Sequence, residues 1–191
     1  MGSGKTLALT YLAYINNVKK NKTIYSNYNL YGIPHYIVDN LLKLEKMKVG
    51  VFVADEFWLW LDRFSGATKS KLVSDILLKS RKRGLHYYFT SQTMNQIPPK
   101  VRKVIDYVAY PIMNPSETIC KLLIFQGSNP SQSSILKTLY FYTRPIYRMY
   151  SSIEEVAPLS EGGDDDMKLI NMPIRSWEDV KKEAEILGKE L

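Results

Sequence analysis

The chain has 191 residues, 45% hydrophobic and 24% charged, which is the length of one domain with an ordinary globular composition and excludes wholesale disorder. One cysteine, Cys120, leaves no intramolecular disulfide, no leader pattern opens the chain, and no apolar run reaches the roughly 18–20 residues of a membrane span, so the expectation is a soluble, cytoplasmic protein. The net charge of +7 is uneven: residues 160–191 hold nine Asp/Glu against five Lys/Arg, and removing that −4 leaves +11 on residues 1–159.

A basic body suits a polyanion such as nucleic acid, although solubility alone also explains it. The chain opens on Gly2-Ser3-Gly4-Lys5-Thr6, after which Leu7, Tyr11, Tyr14, Ile15 and Val18 fall on one face of an expected helix. A phosphate loop needs glycines so that backbone N–H groups wrap the phosphates, a lysine for the β- and γ-phosphates, and a hydroxyl for Mg²⁺. Gly4-Lys5-Thr6 supplies those parts.

Residues 23–26 read as a short strand and 39–46 as a helix. Residues 49–54 are apolar and β-branched, the pattern of a strand buried on both faces of a parallel sheet, and they end in Asp55-Glu56. This is the form of a Walker B strand: Asp55 orients the Mg²⁺ water shell and Glu56 polarises the attacking water. A core strand closing on a solvated acidic turn is the alternative, but the loop and the acidic pair together favour the nucleotide reading. Trp58 and Trp60, just beyond, read as packing anchors rather than base-stacking platforms.

A helix is expected over 72–80, stopped by Gly84. Ser80-Arg81-Lys82-Arg83-Gly84 is a basic cluster at its end. Arg81 or Arg83 would serve as a finger toward a neighbouring subunit's nucleotide, or the cluster simply complements the helix dipole. Residues 86–90 read as a strand ending in Phe89-Thr90-Ser91-Gln92, where Gln92 is either a γ-phosphate sensor or an ordinary polar strand end. Lys100, Arg102 and Lys103 follow Pro98-Pro99 on a short helix that faces DNA phosphates or solvent.

Strands are expected at 108–113, 119–125, 136–142 and 146–150, the last three without helices between them. Residues 161–166 form an acidic linker, and Ser176 with Asp179 resembles a capping box before a helix striped by Val180, Ala184 and Leu187. His35 and His86 have no partners at metal-ligand spacing. The fold expected is therefore α/β: a RecA-like P-loop NTPase with a mostly parallel sheet, helices on both faces and extra C-terminal strands. Its parts are an ATPase domain at 1–159, a flexible linker at 160–175 and a terminal helix at 176–191.

The blocks Gly2 to Thr6, Tyr25-Ser26-Asn27, Asp55-Glu56-Phe57-Trp58, Ser80 to Gly84 and Thr90-Ser91-Gln92 together resemble the FtsK/HerA superfamily of DNA-pumping ATPases. Within it the chain is similar to the small genome-packaging ATPases of archaeal and membrane-containing icosahedral viruses, and to the ATPase half of zonula occludens toxin-like phage proteins. Residues 144–152 add to the likeness, which spans about 1–155. The resemblance implies ATP and Mg²⁺ as ligands, with Lys5 and Thr6 on phosphate and metal, Asp55 on the metal and Glu56 as base. It further implies Gln92 as sensor, Arg81 or Arg83 as a finger acting in trans, and a ring, commonly a hexamer, around double-stranded DNA.

The loop pattern G-x-x-x-x-G-K-[ST] would place its first glycine ahead of Met1, and the strand that should precede the loop is missing from the sequence. Either Met1 is an internal methionine and the true start lies upstream, or the chain binds nucleotide weakly; the intact downstream blocks favour the first. The leading functional expectation is an ATP-driven DNA translocase packaging a viral genome in the host cytoplasm, in contact with capsid or portal-vertex proteins. ATP-driven filamentous phage assembly or plasmid transfer is a second reading, and a non-catalytic, nucleotide-gated DNA-binding protein is a third.

Overall fold

Two hydrophobic periods, one of strands and one of helices, settle into two sheets with a helix held between them. The computed structural model describes residues 4–62, 75–79, 81–127, 134–156, 160 and 166–188. In chain order come α1 (Lys5–Lys20), β1 (Ile24–Ser26), β2 (His35–Ile37), α2 (Leu41–Lys46), β3 (Gly50–Ala54), α3 (Trp58–Asp62) and α4 (helical at 75–79). A 3₁₀ turn (Arg81–Arg83) leads into β4 (Leu85–Phe89), and a second (Met94–Gln96) into α5 (Pro99–Arg102). Then follow β5 (Tyr107–Met113), β6 (Ile119–Gln126), β7 (Ile135–Tyr142), α6 (Thr143–Tyr147), β8 (Leu169–Ile170) and α7 (Trp177–Ile186).

The first sheet has the order β4-β3-β1-β2-β8. Its first four strands are mutually parallel, and β8 joins β2 antiparallel. On β3, Phe52 and Ala54 belong to one core, with Phe57, Trp60, Ile76, Leu77 and Ile97, while Val51 and Val53 belong to the other, with α1. Burial on both faces is why this strand reads as an unbroken apolar run. Gly50 is required at its start: a Cβ there would lie 2.6 Å from the Thr23 carbonyl oxygen and 2.9 Å from the Tyr25 ring.

The second sheet is an antiparallel meander, β5-β6-β7. Its inner face closes over α1: Cys120, Leu122 and Phe141 share a core with Leu7, Leu9 and Ala13, and the Tyr11 ring stacks on Phe141 at 4.0 Å. Lying between two sheets, α1 buries more than the single face expected from its sequence. Ala8, Thr10 and Asn16 are buried as well, whereas Val18, in the last turn beyond both sheets, is 58% exposed.

Residues 146–150, expected as a strand, are instead the end of α6 and the turn after it. Pro145 lies within the first turn of α6, where its missing N–H has no helical partner to lose. The short helix ends too soon to show a helical period, so Ile146 and its tyrosine neighbours imitate a strand. Part of the stretch read as a linker joins the folded body: β8 extends the first sheet, and Met172 bridges to Tyr31.

The terminal helix is docked by one arginine. The Arg175 guanidinium donates to Glu183 and to the carbonyls of Tyr147 and Tyr150, and Glu183 also accepts from Ser151 and Ser152. The Arg144 and Arg148 guanidiniums lie over the Trp177 ring, 4.7 and 5.8 Å from its centroid. Burial works against the Glu183 charge, but the hydrogen bonds from Ser152 and Arg175 hold its carboxyl below the usual range.

Candidate nucleotide site

Parallel strands bring their carboxyl ends to one edge of the sheet, and that is where the polar residues gather. Asn27 follows β1, Asp55 and Glu56 follow β3, and Thr90 follows β4. Across this edge lies the N-terminus of α1. Gly4 caps that helix in the left-handed region (φ 73°), with no side-chain cap and no acidic residue in the first turn. No side chain caps this 16-residue helix, and its own first turn contributes no acidic residue to its positive end.

The Thr6 hydroxyl donates to Asp55 Oδ2 at 2.7 Å. This contact brings the loop block and the acidic pair together. Lys5, one residue earlier, is half-buried. Gly2 and Ser3 lie outside the described residues.

Asp55 is gripped from both neighbouring strands. Beyond the β1–β3 ladder, the Asn27 amide takes over the pairing: its Nδ2 donates to the Asp55 carbonyl at 2.8 Å and its Oδ1 accepts the Asp55 N–H at 2.8 Å. From the other side, the Thr90 hydroxyl donates to Asp55 Oδ1 at 2.5 Å and accepts the Glu56 N–H at 2.8 Å. Held this way, Glu56 takes a left-handed backbone (φ 45°), uncommon for a residue with a side chain. Such a conformation persists where surrounding contacts over-determine it, and here two strands do so.

Tyr28, next to Asn27 in the chain, is buried. The Tyr28 hydroxyl shares a 3.0 Å hydrogen bond with Thr10, and burial, opposed by that bond and reinforced by the Asp55 charge, raises its pKa well above the ordinary tyrosine value. Nearby, Glu154 accepts from the Asn29 backbone and side chain at 3.0 and 2.9 Å; burial outweighs these bonds and raises its pKa.

The other sequence candidates fall elsewhere. Gln92 is exposed, two residues past Thr90, and shows no hydrogen bond to Asp55 or Glu56. Arg83 donates from Nη1 to the Glu45 carbonyl at 2.7 Å, near the end of α2, so it satisfies a helix-end acceptor in its own chain. The backbone of Arg81 lies in the preceding 3₁₀ turn. Phe57 and Trp60 are core, at 0% and 1% exposure, packed with Phe52. His35 is buried, with Nδ1 2.8 Å from the Ile33 carbonyl oxygen and the Leu30 N–H on Nε2 at 3.4 Å; burial lowers its pKa.

Asn27 and Thr90 are the residues that sequence reasoning did not assign. Both were in view as polar residues just past a β-branched or aromatic run, which is the available signal. The strand's last backbone bond, Thr90 N–H to the Ala54 carbonyl at 3.0 Å, sets Thr90 beside Asp55, two residues before Gln92.

No family profile and no curated protein matches the chain. The structure is similar to the crystal structure of the N-terminal domain of zonular occludens toxin from Neisseria meningitidis, with a TM-score of 0.53 and 15% sequence identity over 78% of this chain and 94% of that one. The two share a fold. At this identity the likeness concerns the fold alone: an α/β, P-loop NTPase-like arrangement with a mostly parallel sheet. It agrees with the zonula occludens toxin-like part of the sequence resemblance.

The donor set fits a Mg²⁺-bound nucleoside triphosphate. A hydroxyl and a carboxylate in contact suit a hard cation, a lysine immediately precedes the hydroxyl residue, and a helix N-terminus with no acidic residue in its first turn suits phosphate. Among the described residues, no cluster of three or more His, Cys, Asp or Glu offers another metal site.

Proposed function

We propose that the protein is a P-loop ATPase whose hydrolysis drives work on DNA. The observation that carries this reading is the 2.7 Å contact between Thr6 and Asp55, at the carboxyl ends of parallel strands and the start of α1. In this reading Lys5 and the first N–H groups of α1 hold the phosphates, and Thr6 and Asp55 hold Mg²⁺. The metal would neutralise phosphate charge. Glu56, turned by its left-handed backbone and fixed through Thr90, accepts a proton from the attacking water.

The basic body supports DNA as the substrate. Viral genome packaging by a ring of subunits, with capsid or portal proteins as partners, is one form of this work; ATP-driven phage assembly is the other. The fold likeness to the zonular occludens toxin domain favours the second. Arg81 remains the better finger candidate, because Arg83 already serves Glu45.

The test is ATP turnover with and without double-stranded DNA, for the wild type and Glu56→Gln. Hydrolysis stimulated by DNA and lost by about 10²–10⁴-fold in the variant supports the proposal. Equal turnover in both proteins refutes the assignment of Glu56.

A further inference from the structure

The outer face of the meander is the largest apolar surface among the described residues. Strand alternation turns Val108, Tyr110 and Ile112 of β5, Ile119, Leu123 and Phe125 of β6, and Ile135, Tyr140 and Tyr142 of β7 to the side opposite α1. The bulge between Ile124 and Phe125 adds Leu136 to this end of the sheet. Tyr142 is 73% exposed, Tyr140 63%, Leu136 55% and Ile135 52%. With large side chains burying 150–250 Å² when covered, this face exposes on the order of 800 Å² of apolar surface. Monomeric proteins rarely leave more than a few hundred Å² in one patch.

We propose that this face is a self-association surface, on which two copies of the chain pair through their outer sheets about a two-fold axis. Three observations select a second copy as the occupant. The exposed area matches the roughly 800 Å² that each partner contributes to a standard stable interface. Among the described residues, the other large exposed side chains, such as Val18, Leu42, Leu78, Ile153 and Ile186, are scattered over separate elements and offer no complementary patch, which selects this face itself as its complement. The face is also poor in charge: among the described residues its one ionic side chain is Lys121, whose ammonium lies 6.0 Å from the Tyr140 ring centroid and is already engaged there. A nucleic-acid platform would interleave its aromatics with several cations. Here aliphatic residues predominate instead, as they do in the contact between stacked sheets.

Pairing through this side leaves α1 and the cluster at its N-terminus on the far face of the meander. It does not depend on the nucleotide assignment, and the two fail separately. Sedimentation velocity of the full chain without nucleotide, over a 100-fold concentration range, tests the proposal. The wild type should shift from monomer to dimer, while Tyr140→Glu and Ile112→Lys, both at exposed positions, should remain monomeric with wild-type circular dichroism and Tm. A wild type that stays monomeric throughout, or variants that dimerise as well as the wild type, overturns it. So does a monomeric wild type that binds a fluorescent single-stranded oligonucleotide with an affinity Tyr140→Glu abolishes, which would make the face a nucleic-acid platform.

Discussion

Replacing Thr90 with valine keeps the shape of the side chain and removes one hydroxyl, which is 2.5 Å from Asp55 Oδ1 and 2.8 Å from the Glu56 nitrogen. A hydrogen bond to a charged group contributes about 1.5–3 kcal/mol and one to a backbone N–H about 0.5–1.5. Asp55 and Glu56 are only half-buried, so water recovers part of this, and the expected loss of stability is about 1–3 kcal/mol. For a chain of this size that lowers Tm by about 3–10 °C. The functional effect should be larger in proportion. The same hydroxyl orients the Asp55 carboxylate and fixes the Glu56 peptide, so turnover should fall by about 10–100-fold, the equivalent of about 1.4–2.7 kcal/mol in the barrier. Thr90→Ser, which retains the hydroxyl, should recover most of both. Calorimetry and a coupled ATPase assay read the two effects. Wild-type turnover in Thr90→Val, with turnover abolished in Gln92→Ala, would refute this reasoning and return the role to Gln92.

Asn27→Ala removes both bonds to the Asp55 peptide groups and should lower Tm and turnover together, whereas Asn27→Asp, which keeps the acceptor but brings a second carboxylate to the site, should lower turnover more than Tm. Gly50→Ala drives a Cβ into the Thr23 carbonyl and should destabilise by about 1–3 kcal/mol in urea denaturation, with no specific effect on nucleotide. Arg175→Ala leaves Glu183 buried without its ion pair and should cost about 3–5 kcal/mol, read as earlier melting and faster proteolysis within α7. The Glu183 carboxyl is held below its unfolded value, so its contribution is complete above a pH of about 4.3 and disappears as pH falls through the native pKa. Glu154, raised by burial, acts in the opposite sense, and Glu154→Gln should therefore make the acid-induced loss of stability steeper.

The sheet was legible where its pattern is extreme. Residues 50–54 announce themselves because both faces are buried, and β6 and β7 because they are long. β2, of three residues, with one histidine and half-buried side chains, has no such signature. At the site, the loop and the acidic pair were legible as motifs because their chemistry dictates residue type. Asn27 and Thr90 were not, since an asparagine or threonine past a strand end is common, and only the strand order that sets β1 and β4 on either side of β3 gives these two a shared target. The misread 146–150 segment has a local cause: a five-residue helix carries no full period, and its stability comes from burying Thr143 and Ile146 rather than from propensity.

The central claim is that Lys5, Thr6 and Asp55 form one Mg²⁺-dependent phosphate site. Isothermal titration of ATP into the wild type, with Mg²⁺ and with EDTA, tests it most directly alongside Lys5→Ala and Asp55→Ala. The account predicts binding that needs Mg²⁺ in the wild type, is abolished in Lys5→Ala, and loses its Mg²⁺ dependence in Asp55→Ala. ATP binding of equal strength in all three proteins, or no binding by the wild type, would contradict it.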